Sequence, residues 1–372
     1  MSRCRFVVQS LVVAAVAGSA EAEPIFLSRQ YARCTTCHYS PTGGGLLTPY
    51  GRSLSRQELS TTGSSGSAQP AGNEEEFLFG ALGDALGAVQ LGIEMRPSHL
   101  DFTFGDTSSS RNLFMAADLL AAYRVKEWTF YAQIGRQPRF EGAKIDSFEY
   151  WIARQPEKGI GFRVGRFFPA YGVRFADHTA FNRTGLGFNT YDQLYAVELS
   201  RSGERDLIQL SVGPGRAESV LDDEEGRAFT ATGRYQLDLD SRTALVISGI
   251  YRNESKIEPR NGSGGLAFGF APTPRVSIWT QADARFRQGD GSTAYTVLNE
   301  TAFEVYRGVW LTASPQLRTD FGSASGGVFR VALGANLLPR THWNVVLKYY
   351  RDKNRASDSV TRTFLAQLHL YL

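Results

Sequence analysis

From residue 88 to residue 372 the chain is a succession of short segments in which apolar and polar residues alternate. About sixteen such segments, each of roughly 6 to 14 residues, are separated by clusters of Gly, Asn, Asp and Pro. An alternation of period two places successive side chains on opposite faces of a β-strand. After the first residues, no stretch has the roughly 18 consecutive apolar residues of a membrane helix. The sequence therefore predicts an all-β chain.

The two faces of these segments differ in a way that a soluble core does not allow. In Arg275–Arg287, Ile278 and Phe286 lie on one face, and Gln281 and Asp283 lie on the other. Burying rows of Arg and Asp in a packed core is very costly. A transmembrane barrel instead has an apolar face toward lipid and a polar face toward its lumen. The terminal segment repeats the scheme, with His369 on the polar face.

The connections between segments indicate how the strands close. Short connections such as Val125–Glu127 and Pro272–Pro274 alternate with longer, polar ones such as Pro97–Asn112 and Pro169–Asp192. This alternation is typical of outer-membrane barrels, which have short periplasmic turns and long external loops. We therefore predict an antiparallel transmembrane β-barrel of about 16 strands over residues 77–372. It would contact outer-membrane lipid in a Gram-negative bacterium. Aromatic residues near strand ends are assigned to the interfacial girdles: Trp128, Trp151, Trp343, Tyr349 and Tyr350.

The N-terminal part has three pieces. Residues 1–22 are typical of a secretory signal peptide, with a basic start, an apolar stretch at Phe6–Ala17 and a small-residue cleavage site at Ala20-Glu21-Ala22. Residues 61–76 are rich in Gly and Ser and are predicted to form a flexible linker. Residues 23–60 lie between them, and a segment of fewer than about 40 residues rarely builds its own core.

The short segment contains Cys34-Thr35-Thr36-Cys37-His38, the spacing of c-type haem attachment. Each thiol adds to one haem vinyl group, and the adjacent imidazole reaches the iron as an axial ligand. A reduced thiol pair, half a zinc site and a disulfide are the alternatives. Zinc needs more ligands, and no second cysteine pair follows; the remaining cysteine, Cys4, lies in the signal peptide. We predict one covalent haem c on Cys34 and Cys37, with His38 as the proximal iron ligand.

Because residues 23–60 are too few to cover a haem, the haem is expected to dock at or within the periplasmic end of the barrel. The glycines of Gly43–Gly45 would either let the backbone pass close to the haem or form a plain turn. The expected apolar lining of the haem is Phe26, Tyr39, Leu46, Leu47 and Tyr50.

The sixth iron ligand has several candidates. An inward fold of the long Pro169–Asp192 connection would bring His178 to the haem, and this histidine is slightly favoured. His369, on the lumen face of the last strand, is the alternative, and a vacant sixth position would indicate peroxidase-like chemistry. The further candidates are His99, His342, Met95 and Met115.

The whole chain resembles the fused monohaem cytochrome–porins of the outer membrane, whose characterised members oxidise extracellular ferrous iron. The resemblance covers the order of signal peptide, haem segment and barrel. Two features depart from the family: the Ser40–Gly45 insert, and Leu372 at the end, where such barrels usually have an aromatic residue. The resemblance therefore indicates the class of protein better than its substrate. Locally it rests on Pro24, Phe26, Arg33, the haem motif, Leu47 and Tyr50-Gly51-Arg52.

Three functions are compatible with these features. The first is an outer-membrane cytochrome that carries one electron between an extracellular donor or acceptor, ferrous iron among them, and a periplasmic carrier such as a soluble cytochrome. The second is a haem-bearing porin whose lumen arginines select small anionic solutes. The third is a membrane-tethered haem peroxidase. A net charge of +3 on 372 residues excludes a nucleic-acid-binding surface of the usual basic kind.

Overall fold

A computed structural model describes residues 24–61, 78, 88–137, 144–186, 188, 192–216, 228–253 and 259–372. The predicted signal peptide, residues 1–22, lies outside these residues. The predicted linker, residues 61–76, also lies outside them except for Thr61. The remainder is the haem-motif segment and the predicted barrel.

The barrel consists of sixteen strands in a closed antiparallel sheet, in which each strand pairs with its neighbours in sequence and the first pairs with the last. This confirms the predicted fold class. The strands are β1 (Val89–Phe104), β2 (Thr107–Val125), β3 (Trp128–Gln137), β4 (Lys144–Arg154), β5 (Gly159–Phe167), β6 (Leu194–Ser202), β7 (Asp206–Arg216), β8 (Thr230–Asp240), β9 (Thr243–Arg252), β10 (Asn261–Thr273), β11 (Val276–Arg287), β12 (Thr293–Tyr306), β13 (Val309–Asp320), β14 (Ser323–Leu337), β15 (Trp343–Asn354) and β16 (Val360–Tyr371).

Burial alternates along the strands as the sequence predicts. In β11, Phe286 faces outward and is exposed, whereas Gln281 and Asp283 face the lumen and are buried. The outer surface therefore carries exposed Leu, Ile, Val and Phe side chains on most strands. An apolar outer band around a polar interior is the arrangement that lipid imposes, and it places the barrel in the outer membrane.

The two ends of the barrel differ in their connections. At one end, called the short-turn end here, even-numbered strands lead into odd-numbered ones through turns such as Lys126–Glu127 and Arg307–Gly308. The opposite, long-loop end includes the long connection between β5 and β6. The predicted long loop Pro97–Asn112 is wrong, because β1 and β2 continue through it to a turn at Gly105-Asp106. Residues 107–112 are exposed on both faces, so their polar side chains do not alternate as a half-buried strand does.

The assignment of the aromatic girdles is partly wrong. Trp128, Trp343 and Tyr349 face outward and are 38 to 40 % exposed, as an interfacial girdle requires. Trp151 and Tyr350 instead face the lumen and are 3 % and 4 % exposed. The reason is that the lumen contains protein, against which large inner aromatic side chains pack.

Two pieces of chain occupy the lumen. One is Pro24–Thr61, called the lumen segment here. The other, called the inward loop, lies between β5 and β6 and comprises the described residues 168–186, 188, 192 and 193. The helical elements are short. They are two 3₁₀ turns (Pro24–Arg29 and Cys34–Thr36), helix α1 (Pro49–Leu54), a π turn (Ser55–Leu59), and helix α2 (Phe181–Thr184) in the inward loop.

Local sequence explains where α1 begins. Thr48 has extended backbone angles, its Oγ1 accepts a hydrogen bond from the Gly51 backbone N–H at 3.1 Å, and Pro49 occupies the first helical position. A single antiparallel bridge between His38 and Leu47 brings the haem motif back against the start of this helix. Among the described residues, no helix is long and apolar enough to cross a membrane.

Candidate functional site

Ion pairs fix the lumen segment to the barrel at the short-turn end. Arg29 Nη2 lies 2.7 Å from Glu304 Oε2 on β12, and Arg33 Nε lies 2.7 Å from Asp238 Oδ2 on β8. Arg33 also donates to the backbone carbonyl of Gly203, at 2.9 Å, in the turn between β6 and β7. Partly buried pairs such as these fix a position more firmly than exposed pairs.

The opposite wall holds the other half of the segment. Arg52 Nη2 donates to the Leu91 carbonyl at 2.6 Å, and the Ser55 and Tyr371 hydroxyls lie 2.7 Å apart. The Thr61 backbone N–H donates to the Leu338 carbonyl at 2.8 Å. The segment therefore contacts strands around the circumference and spans the lumen.

Lumen-facing aromatic residues pack against the segment. Trp310 packs with Ile25, Trp279 packs with Leu27, and Trp151 belongs to a buried cluster that includes Tyr39. These tryptophans were not recognised as site residues from the sequence alone. Their position in the sequence could have identified them, because a Trp on the polar face of a barrel strand needs an apolar partner inside the lumen.

The haem motif lies inside this packing. Cys34–Thr36 forms a 3₁₀ turn, and Cys37 is 6 % and His38 9 % exposed. Both thiols are free, so the motif does not form a disulfide. Burial raises the pKa of Cys37 to about 12, with a further contribution from the neighbouring Cys34, and burial also raises the pKa of Cys34. The buried Cys37 thiol is therefore protonated at neutral pH.

The imidazole of His38 is held as a neutral base. Burial lowers its pKa to about 4, and the positive charge of Arg174 acts in the same direction. The backbones of Gly44 and Gly45 approach the ring and partly oppose the shift. The buried Nδ1 atom makes no hydrogen bond of ordinary geometry with the described residues. A neutral imidazole is the form that binds a metal.

Two glycines allow the close packing around the motif. Gly45 has φ +64°, in the left-handed region, and a Cβ there would clash with the Tyr131 hydroxyl. Gly51 lies in α1 directly over the motif, where a Cβ would be 2.9 Å from Cys37 Cα and would clash with the Cys37 carbonyl oxygen. The close approach at Gly45 is to Tyr131 of the barrel wall, and the predicted approach of Gly43–Gly45 to the haem stays a prediction.

Two adjoining cavities flank His38 and share Phe26, Cys37 and His38 in their linings. The first, called the motif cavity here, is lined by both cysteines and by the inward loop, and measures about 1040 Å³ including its solvent-open part. The second, called the histidine cavity, is lined by His342 and His369 and measures about 770 Å³ on the same basis.

The structure separates the candidate sixth ligands. His369 and His342 line the histidine cavity together with His38. His178 is buried in the inward loop and lines a different cavity, which His38 does not line. His99 lies on β1 and hydrogen-bonds Asn112 at 2.7 Å, on an exposed part of the barrel.

The two methionines are also away from the motif. Met95 lies on β1 between the lumen-facing residues Glu94 and Arg96. Met115 lines a cavity toward the long-loop end, where its sulfur accepts a hydrogen bond from Gln367 at 3.0 Å. The structure therefore brings two of the six candidates, both histidines, into a cavity that His38 also lines.

The predicted apolar lining is brought together in part. Phe26 lines both cavities, and Leu46 and Leu47 line the histidine cavity. Tyr39 is buried against the barrel wall instead. Tyr50 is 51 % exposed at the short-turn end, where its hydroxyl lies 3.0 Å from that of Tyr31.

The donor set fits a covalently attached haem. The free thiols of Cys34 and Cys37, at the spacing of c-type haem attachment, lie beside the neutral, buried imidazole of His38. All three residues line the motif cavity, and Cys37 and His38 also line the histidine cavity. A structural metal ion fits less well, because the described residues contain no group of three or more His, Cys, Asp or Glu side chains arranged to hold one.

The inward loop closes the site from the long-loop side. Arg174 Nη1 donates to the Gly43 carbonyl at 2.5 Å, so the loop contacts the Ser40–Gly45 insert directly. Lys348 Nζ lies 3.3 Å from Asp177 Oδ2 in the same loop. Burial alone would raise the pKa of Asp177, but Lys348 and Arg330 hold it well below its usual range.

Comparison with known proteins supports the fold. No protein-family model and no curated protein matches the sequence. The solved structures that resemble the chain include OprB of Pseudomonas putida (TM-score 0.60, 8 % identity, 77 % of this chain and 94 % of that one). They also include the anion-selective porin of Comamonas acidovorans (0.55, 8 %, 76 % and 99 %) and the outer-membrane channel DcaP of Acinetobacter baumannii (0.54, 10 %, 76 % and 97 %). The chain therefore has the fold of outer-membrane porins.

Proposed function

We propose that this chain is an outer-membrane electron-transfer protein that holds one covalent haem c in its lumen segment. It would pass single electrons between an extracellular redox substrate and a periplasmic carrier. The observation that supports the proposal is the burial of Cys37 and His38 inside the barrel, beside two cavities that enter the lumen. A haem on the outside of a barrel would need no such enclosure.

Each part of the site has a role in this proposal. Cys34 and Cys37 hold the group covalently, and His38 is an axial ligand. When bound, haem supplies one-electron redox chemistry whose potential depends on axial ligands and burial. The lumen segment and the inward loop would limit the access of bulk water to the site. Arg174, which lies close enough to lower the His38 pKa, provides positive charge beside it.

The short-turn end offers a surface for a periplasmic partner such as a soluble cytochrome. The rings of Phe26 and Tyr31 meet edge to face with centroids 6.3 Å apart, and Tyr31 meets Tyr50 in the same way. Phe26 lines both cavities, and Tyr50 is exposed. This aromatic row connects the cavities to the surface at the end predicted to face the periplasm.

The extracellular substrate would enter from the long-loop end. A cavity there is lined by Phe181 of the inward loop and by Arg318 and Arg330 of the wall. Ferrous iron is the substrate that the resemblance to the cytochrome–porins implies. Each ferrous ion would give one electron to the site and leave as ferric iron.

A second candidate is a porin for small anionic solutes, with or without haem. The similar solved structures are channels and porins, one of them described as anion-selective, and this likeness supports a solute channel more directly than electron transfer. Lumen arginines such as Arg285 and Arg318 would favour anions. Against this candidate, the lumen segment and the inward loop fill the space that an open pore needs.

The two candidates are separated by haem content and conductance of the full chain purified from outer membranes. Electron transfer requires haem that survives acid–acetone extraction and becomes reduced when ferrous iron is the only reductant. Cys37→Ala should lose most of this haem, whereas the matched change Cys4→Ala, in the predicted signal peptide, should retain it. Absence of covalent haem, together with anion-selective conductance in planar bilayers, would reject the first candidate and support the second.

A further inference from the structure

A buried row of two charged side chains and a histidine lies in the wall of the histidine cavity and beside it. Arg96 Nε lies 2.6 Å from Glu94 Oε1, and the same oxygen lies 3.4 Å from His369 Nε2. Glu94 is 1 % and Arg96 4 % exposed. Glu94 and Arg96 belong to β1 and His369 belongs to β16, the two strands whose pairing closes the barrel.

This row resembles the groups that surround a metal-bound histidine in other proteins. A ligating imidazole usually donates its other ring N–H to a carboxylate, which fixes the orientation of the ring and makes the ligating nitrogen more basic. Glu94 Oε1 and His369 Nε2 are 3.4 Å apart and do not form a hydrogen bond of ordinary geometry. A small rotation of the ring would let Nε2–H donate to this carboxylate and leave Nδ1 as the nitrogen for a metal. Arg96 balances the carboxylate charge, which would otherwise be costly at this depth.

We propose that His369 is the sixth, distal ligand of the haem, and that Glu94 is a positioning residue that acts through His369. The inference rests on the proposed function and specifies its site. His38 and His369 line the same cavity, so one haem held by the motif would be approached by imidazoles from the lumen segment and from the barrel wall. Ligation by two histidines favours outer-sphere electron transfer over chemistry at the iron.

His342 is the competing residue, because it lines the same cavity and is 1 % exposed. Its backbone has φ +70°, and its ring meets Tyr371 edge to face at 5.8 Å. We choose His369 because of its contact with the carboxylate of Glu94. His342→Ala is therefore the matched control for His369→Ala.

The test uses low-temperature electron paramagnetic resonance of the oxidised full chain in detergent. The wild type should give a low-spin signal, His369→Ala should become high-spin, and added imidazole should restore the low-spin signal. His342→Ala should remain low-spin. Glu94→Gln should also remain low-spin but shift the midpoint potential upward, because a less basic distal imidazole stabilises the ferric state less.

Other outcomes would overturn the inference. If His369→Ala stays low-spin, or if His342→Ala becomes high-spin, His369 is not the ligand. If Glu94→Gln lowers the heat stability of the barrel and leaves the potential unchanged, the row only holds β1 to β16. A wild type that is already high-spin would reject distal ligation and favour the peroxidase alternative. All of these results are measured on protein that contains covalent haem. The absence of covalent haem is a separate result, and it would reject the proposed function itself.

Discussion

The buried ion pair between Arg163 on β5 and Glu198 on β6 allows a quantitative test of how the lumen is held together. Arg163 Nη2 lies 2.9 Å from Glu198 Oε2, and both side chains are 1 % exposed. Removing one member of such a pair leaves an uncompensated buried charge, which costs about 3–5 kcal/mol. We therefore expect Arg163→Ala and Glu198→Ala each to lower the free energy of unfolding by about this amount.

Arg163 makes additional contacts that Glu198 does not share. Its guanidinium carbon lies 3.7 Å from the centroid of the Phe167 ring, and its Nη2 donates to the Phe168 carbonyl at 3.3 Å, where the inward loop begins. Its Nη1 lies 3.5 Å from Ser40 Oγ in the lumen segment. Arg163→Ala should therefore be the more destabilising change. The double variant should cost less than the sum by about 0.5–3 kcal/mol, as contacting residues do.

The assay is equilibrium unfolding in urea from lipid vesicles, followed by tryptophan fluorescence. Arg201 and Asp206 provide the control, because they join β6 to the next strand, β7, 3.1 Å apart, with side chains 59 % and 23 % exposed. An exposed pair contributes about 0–1 kcal/mol, so Arg201→Ala should change little. The argument fails if Arg163→Ala costs no more than Arg201→Ala, or if the effects of Arg163→Ala and Glu198→Ala add fully.

Three other predictions concern packing, topology and pH. Gly51→Ala should lower the haem yield, because its Cβ overpacks the site against Cys37, which costs about 1–3 kcal/mol and outweighs the helix propensity gained. The control is Gly249→Ala, whose Cβ would have no neighbour closer than 3.9 Å; its haem content, measured by absorbance, should be normal. Impermeant thiol reagents on intact cells should label Ser357→Cys but not Thr273→Cys, and equal labelling would contradict the predicted orientation. Since the pKa of Asp177 is held low, the stabilisation it gives is present above its unfolded value of about 3.9 and is lost as the pH falls below it. The hydrogen-exchange protection factors of residues 168–186, which correct for the intrinsic effect of pH on exchange, should therefore fall on acidification, and Asp177→Asn should remove this dependence.

The barrel was predictable because its pattern is repeated. Each strand carries its own alternation, so an error at one segment does not change the fold class, and the lumen faces of β11 and β16 were assigned residue by residue. The Pro97–Asn112 connection was mispredicted because the exposed hairpin there has polar residues on both faces. A period-two pattern reports half-burial, and it disappears where a strand leaves the wall.

The contents of the lumen were less predictable. Sequence reasoning identified Cys34, Cys37 and His38 from their spacing, since the chemistry requires neighbours in the chain. The contacts of Arg33 with Asp238 and of Ser55 with Tyr371 join residues far apart in sequence, and no local pattern reports them. The same applies to the distal side: His178 and His369 were both candidates, and which of them shares a cavity with His38 depends on how the inward loop folds.

The arrangement of the lumen segment also constrains the order of assembly. Its partners come from both sides of the barrel, since Arg33 contacts β8 and Arg52 contacts the start of β1. In the closed barrel Cys37 is buried and its thiol pKa is about 12, so it is neither accessible nor reactive there. Covalent attachment of the proposed haem would therefore have to precede enclosure of this site by the strands. The lumen segment would then enter the closing barrel with its haem already bound, and its contacts with the wall would form last.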